Sequence, residues 1–159
     1  MQMTYKLQKL GAPILRKKVD RVLKFKPKEL EQLFEEMVYI MILNQGIGLA
    51  ANQIGLNKQI FIAALETSQG IITPRMFINP TMFTLSEQKY EAFEEGCLSV
   101  NKDKRISDFR SNSLSLHYQD THGLVKTESF SGFNAVIIQH ECDHLEGKLF
   151  IDYTNPHKC

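Results

Sequence analysis

The spacing of apolar residues gives one clear helical period early in the chain. In PKELEQLFEEMVYIMILNQG, residues 27–46, Leu30, Leu33, Phe34, Met37, Val38 and Met41 fall on a single face. Pro27 suits the first helical position, where no intrahelical N–H is needed, and Gly46 is the expected stop. KQIFIAAL, residues 58–65, is a short apolar run that predicts a strand, with Gly70 in the loop behind it. RMFINPTMFTLSE, 75–87, reads as extended, with Pro80 restricting it to an edge or a bend. NSLSLHYQD carries Leu114, Leu116 and Tyr118 on every second position, the period of a half-buried strand. The turn DTHG and the run LVKTESF complete a hairpin. Ser131 then stands as N-cap, GFNAVIIQHECDHLE continues for about four turns, and Gly147 suits the C-terminal cap. KLFIDY is expected to close the chain as a short strand. Strands and helices do not alternate as βαβ units, and no repeat or linker interrupts them. The pattern predicts one α+β domain.

Bulk properties narrow the function classes. A chain of 159 residues can bury a sizeable core in one domain. The net charge of +1 does not mark a nucleic-acid binder. No run approaches the roughly 18 apolar residues of a membrane span, and MQMTYKLQKLGAPILRKK lacks the apolar centre of a secretion signal. Three cysteines, Cys97, Cys142 and Cys159, do not form an even disulfide framework. A reducing cytoplasm fits, and there a free thiol can serve a metal or catalysis.

Chemistry concentrates in QHECDHLEG. His140 and His144 are four apart, slightly more than one turn, so their rings share a helix face. Glu141 can reach water on a metal held between them. The preceding Ala135, Val136, Ile137 and Ile138 indicate a buried helix. A core helix with two hydrogen-bonded histidines fits the pair equally well. One protease pattern supplies a third histidine after the glycine, but position 150 is Phe150. Another takes a glutamate from a later helix, for which the 15 residues after His144 leave no room. The third ligand is therefore expected upstream. EEGCLSV offers Cys97, whose thiolate suits zinc or ferrous iron. With His140 and His144 it makes a three-ligand set with one position open. The competing reading of Cys97 is an inert buried thiol. Cys142 faces another way on the helix, Cys159 is terminal, and His117, His122 and His157 read as surface or turn residues.

GIGLAANQIG contains Gly46, Gly48 and Ala51 at the spacing of a dinucleotide fingerprint, but it follows a helix rather than a strand. It reads better as a tight backbone segment approaching a ligand. Gln53 at its end is either an amide donor for charge developing on an oxygen or a surface glutamine.

Taken together, GIGLAANQ, EGCLS and QHECDHLEG, in that order and at these separations, resemble peptide deformylase. GAPILRKKVDRV and FINP add to the likeness, which runs over nearly the whole chain. The resemblance implies an α+β fold with antiparallel sheets packed around a central helix carrying the HExxH motif. It implies hydrolysis of the N-formyl group from the initiator methionine of new polypeptides, releasing formate. Cys97, His140 and His144 would hold one divalent metal ion, natively Fe2+, with Zn2+, Ni2+ or Co2+ in purified protein. Glu141 would be the general base, and Gln53 with the Leu98 backbone N–H would meet the oxyanion. The peptide would pair by strand addition along Gly46, Ile47, Gly48 and Gly96. Ile47, Val136 and Ile137 would take the methionine side chain.

Departures from the family pattern shape further expectations. Asn101 stands where proline is common, NKDKR is one residue longer, and Asn44 and Gln45 replace frequent acidic residues. The chain stops soon after FIDY, whereas many members continue into a helix that docks at the ribosome. It resembles shortened forms, including some from phages, so ribosome contact is expected to be transient at most. The setting is a bacterial cytoplasm, or a host cytoplasm for a phage-encoded protein. N-formyl-methionyl peptides are the expected partners, with no direct nucleic-acid or membrane binding. Two rival readings stay open: a metallopeptidase-like amidase built on the histidine pair, and a non-catalytic scaffold of the same fold.

Overall fold

The computed structural model describes residues 3–101 and 103–154. Among these residues a five-stranded antiparallel sheet lies between two helices. The first helix, α1, spans Pro27–Leu43, with Pro27 in its first turn as expected. It closes one residue earlier than expected. Gln45, not Gly46, takes the left-handed conformation, at φ 58°. The Gly46 N–H then bonds Met41 O at 2.9 Å and the Gln45 N–H bonds Ile42 O at 3.0 Å, a Schellman closure. Gly46 is thereby released from capping to line the site described below.

The sheet runs in the order β1-β2-β3-β6-β7, formed by Gly48–Ala50, Ile60–Glu66, Ile72–Phe83, Ser113–Gln119 and Val125–Ser131. A separate small hairpin joins β4, Phe93–Glu95, to β5, Arg105–Ser107. The unbroken apolar run of β2 has a simple cause: both of its faces are covered. Ile60 and Ile62 pack toward Leu30, Met37 and Ile40 of α1. Phe61, Ala63 and Leu65 pack toward Ala135, Ile138, Cys142 and Leu145 on the second helix, α2, Phe133–Leu145. Phe61 stacks on its register partner Phe77 with ring centroids 4.9 Å apart. Each such side chain contributes about 1.5–3 kcal/mol by leaving water.

Several expected boundaries move. Pro80 sits in β3, an interior strand rather than an edge. The strand bends there: its register shifts between Ile78 and Thr81, and Asn79 stands at φ 51°. The Asn79 side chain accepts from Val22 N–H and donates to Val22 O, which ties the irregularity to the segment before α1. Ser131 ends β7 instead of capping α2; Gly132, at φ 63°, is the N-cap. KLFIDY forms a 3₁₀ turn over Phe150–Asp152, not a strand. Asp152 explains this, because its carboxylate accepts the Leu149 N–H at 3.0 Å and pairs with Arg16. Gly147, at φ 75°, caps α2 as expected, and a side chain there would also meet the Arg16 backbone. No helix of the described residues is long and apolar enough to cross a membrane.

Candidate active site

Helix α2 is buried nearly all round, polar positions included: Gln139, Glu141 and His144 are 5%, 3% and 1% exposed. Gln139 clamps it in place, accepting from Ser111 N–H and donating to Ser111 O at 2.9 and 2.8 Å. The helix thereby presents His140 and His144 to the segment that follows β4. His144 Nε2 lies 3.2 Å from His140 Nε2 and 3.3 Å from Cys97 Sγ. The three ligand atoms all fall within 4.8 Å of one another.

The groups behind this cluster hold it in register. Glu95 Oε1 sits 2.7 Å from His140 Nδ1. A carboxylate there fixes the ring with Nε2 toward the cluster, the usual support of a metal-ligating histidine. Arg110 grips Glu95 through Nε and a terminal nitrogen, at 3.2 and 2.5 Å, and reaches Asp143 at 2.6 Å. Burial alone would raise the Glu95 carboxyl; His140 and Arg110 outweigh it and hold it at about 2. Burial, with His140 beside it, pushes the His144 imidazole down toward its neutral form. Burial would lower His140 too, but Cys97 and Glu95 outweigh it and raise His140 to about 10, so a metal bound there would displace a proton from that ring. One thiol and two imidazoles, converging in a buried pocket with an ionised carboxylate behind one ring, fit a divalent zinc or ferrous ion.

Glu141 points to the other side of the cluster, against β1. A Cβ on Gly48 would collide with its carboxylate, so only glycine lets the two approach. Burial raises the Glu141 carboxyl to about 7, and its Oε2 finds no hydrogen-bond partner among the described residues. A carboxyl poised near neutrality suits proton transfer in both directions. Gln53 is buried, not a surface residue: its Oε1 accepts the Ala50 N–H at 2.9 Å. Its Nε2 therefore faces Ser99 Oγ at 3.1 Å and Cys97 Sγ at 3.5 Å.

These groups open onto a cavity of about 470 Å³. Gly46, Ile47, Gly48, Gln53, Gly96, Cys97, Leu98, Val136, Ile137, His140 and Glu141 all line it, so the expected site residues meet there except His144, which lies behind Cys97 and His140. Phe93 and Phe133 widen its apolar wall and were not foreseen. Glu95, Arg110 and Asp143 were also missed. Glu95 stood next to the glycine of EGCLS as a visible signal, whereas Arg110 carries none. Asn101 lines the cavity at φ 40°, an angle closed to proline. Phe150, at the position of the absent third histidine, is buried with its ring 6.2 Å from that of His140. Cys142 belongs to the core beside the sheet, and His117 and His122 are exposed. His157 and Cys159 lie outside the described residues.

The profile of the polypeptide deformylase family matches residues 4–159. The chain belongs to that family. It is 42% identical to the peptide deformylase of Pseudothermotoga lettingae over 94% of this chain and 82% of that one. The crystal structure of the Thermotoga maritima peptide deformylase superposes with a TM-score of 0.85 at 34% identity, covering 96% of this chain and 97% of that one. The Synechococcus elongatus peptide deformylase in complex with actinonin gives 0.87 at 34% identity, over 97% and 82%. The deformylase family removes the N-formyl group from nascent chains and depends on a metal, and this chain is a hydrolase of that kind with its α+β fold.

Proposed function

We propose that the cavity is the deformylase active site and that Cys97, His140 and His144 hold the metal. A divalent ion bound there would supply Lewis-acid activation. The formyl-methionine side chain enters the apolar wall of Ile47, Val136 and Ile137, and the peptide backbone pairs with Gly46, Ile47, Gly48 and Gly96. Glu141 takes a proton from the attacking water and returns it to the departing amine. Charge gathering on the formyl oxygen is met by Gln53 Nε2 and the Leu98 N–H. Formate and a free α-amine leave. Residues 1–159 act as one catalytic domain in the cytoplasm, with Fe2+ as the native ion and at most transient contact with a ribosome.

One observation carries this reading: a buried Glu141 carboxylate with a free oxygen stands beside a Cys–His–His cluster at the floor of a cavity. The test uses protein purified without air, with bound metal and formate release from a formyl-methionyl peptide measured on the same sample. Cys97→Ala is expected to lose both metal and formate release, and Cys142→Ala to keep them. Full metal and turnover in Cys97→Ala would overturn the ligand assignment. Cleavage of an internal peptide bond in preference to the formyl group would favour a metallopeptidase instead.

A further inference from the structure

Three consecutive residues near the N-terminus bind the segments that form one wall of the cavity. The Gln8 N–H donates to Gln53 O at 2.6 Å, and the Leu10 N–H donates to Ser99 O at 2.8 Å. Between them the Lys9 ammonium donates to Leu98 O at 2.8 Å. Gln53 Nε2 on Ser99 Oγ closes the ring. Farther back, the Tyr5 N–H is tied to Glu36 on α1 at 3.0 Å. Residues 4–10 thus form a strap from α1 to the two groups assigned to the oxyanion. Gln8 and Leu10 use their backbone N–H groups, and Lys9 between them uses its side chain.

We infer that Lys9 is a positioning residue for deformylation. The inference rests on the deformylase reading of the site. Lys9 holds the peptide plane that follows the Leu98 Cα, while the Val100 N–H, on Cys97 O, holds the plane that precedes it and contains the Leu98 N–H. With both planes held, the φ and ψ between them, and so the aim of that N–H, are restricted. No other side chain of the described residues is seen bonded to Leu98 O. Small errors in aim matter here, because donors act only when directed at the place where charge develops. Lys9 also lines the cavity, so it could instead meet the bound peptide directly. The two roles separate kinetically: aim acts on kcat, whereas ground-state binding acts on KM.

The test compares Lys9→Met with Lys9→Arg in metal-loaded protein. It reads formate release, metal per chain and hydrogen exchange of the Val100 amide, which donates to Cys97 O and reports on the turn around Leu98. Lys9→Met is expected to lower kcat about fivefold to tenfold, with KM within about twofold and metal unchanged. The Val100 amide should exchange faster, and Lys9→Arg should restore both. Unchanged kcat and exchange in Lys9→Met overturn the inference. A loss confined to KM, with exchange unchanged, also overturns it and assigns Lys9 to the substrate. Failure of the parent reading is distinct, because the wild-type protein itself would then release no formate.

Discussion

The two helices flank one sheet and use polarity in opposite ways. On α1, Glu29, Glu31, Gln32 and Glu35 face water while Leu30, Leu33, Met37, Ile40 and Met41 are buried. These four stay in contact with water, and the partly buried Glu36 is bonded by the Tyr5 N–H. On α2, Gln139, Glu141 and His144 are buried along with Val136 and Ile138. Stripping such groups of water costs several kcal/mol apiece unless partners replace it. Gln139 recovers its bonds from Ser111, and His140 gains Glu95. Glu141 Oε2 and His144 Nδ1 recover nothing among the described residues. A helix that only had to fill the core would carry leucine at both places. Of the two helices, only α2 carries such an unrecovered cost among the described residues.

The sharpest way to break this contrast is Glu141→Ala. The change removes a carboxylate whose Oε2 bonds no group among the described residues, and it removes none of the three proposed ligands, so the protein should fold and retain its metal. Formate release should fall by about 10²–10⁴, the usual worth of a positioned base. Steady-state kinetics with metal analysis on one sample checks this. Turnover within a few-fold of wild type would mean that another group moves the proton.

Glu95→Gln comes next and acts on support rather than chemistry. Breaking a buried ion pair on one side costs about 3–5 kcal/mol, and losing a carboxylate behind a ligating histidine costs about 10–100-fold in metal affinity. The pH dependence follows from the lowered carboxyl. Glu95 stays ionised in the folded protein down to about 2, against 4.5 when unfolded. Its contribution is therefore complete above about 4.5 and is lost as pH falls toward 2. Urea melts of metal-free protein across that window should show a steep acid limb for wild type and a flatter one for Glu95→Gln. Parallel limbs would separate Glu95 from acid stability.

On α1 the matching test is Met37→Ala, at a residue with no exposed surface. The expected loss is about 2–3 kcal/mol from transfer and cavity terms, with kcat unchanged once the sample is folded. A fall in kcat at constant stability would show that α1 also tunes the site.

The contrast also explains what could be read from the chain. α1 was legible because its apolar stripe is the whole of its energetics, and β2 was legible because both its faces are covered. The Cys97, His140 and His144 meeting was foreseeable because few residue types ligate metals. Boundaries set by single side chains were not: Gln45 closing α1, Asn79 absorbing Pro80, Asp152 winding KLFIDY into a turn. Arg110 was invisible for a related reason. Its role depends on reaching both Glu95 and Asp143 across 15 and 33 residues of sequence, which no local pattern encodes.

The smallest effect expected is at Ile42, near the end of α1. Its side chain is 65% exposed although Ile40 and Met41 beside it are buried. By the amphipathic reading it lies off the apolar stripe and contributes no packing. Isoleucine and serine have similar helix propensities, so Ile42→Ser should change stability by no more than about 0.5 kcal/mol. Formate release should not change either, because Ile42 does not line the cavity, which begins at Asn44 on this side. Denaturant melts and kinetics on one preparation measure both quantities. A drop of about 2 kcal/mol would require that Ile42 be buried in solution, against a partner the isolated chain does not supply. In that case polarity and exposure on α1 would no longer be matched, and the contrast with α2 would rest on the unpartnered Glu141 and His144 atoms alone.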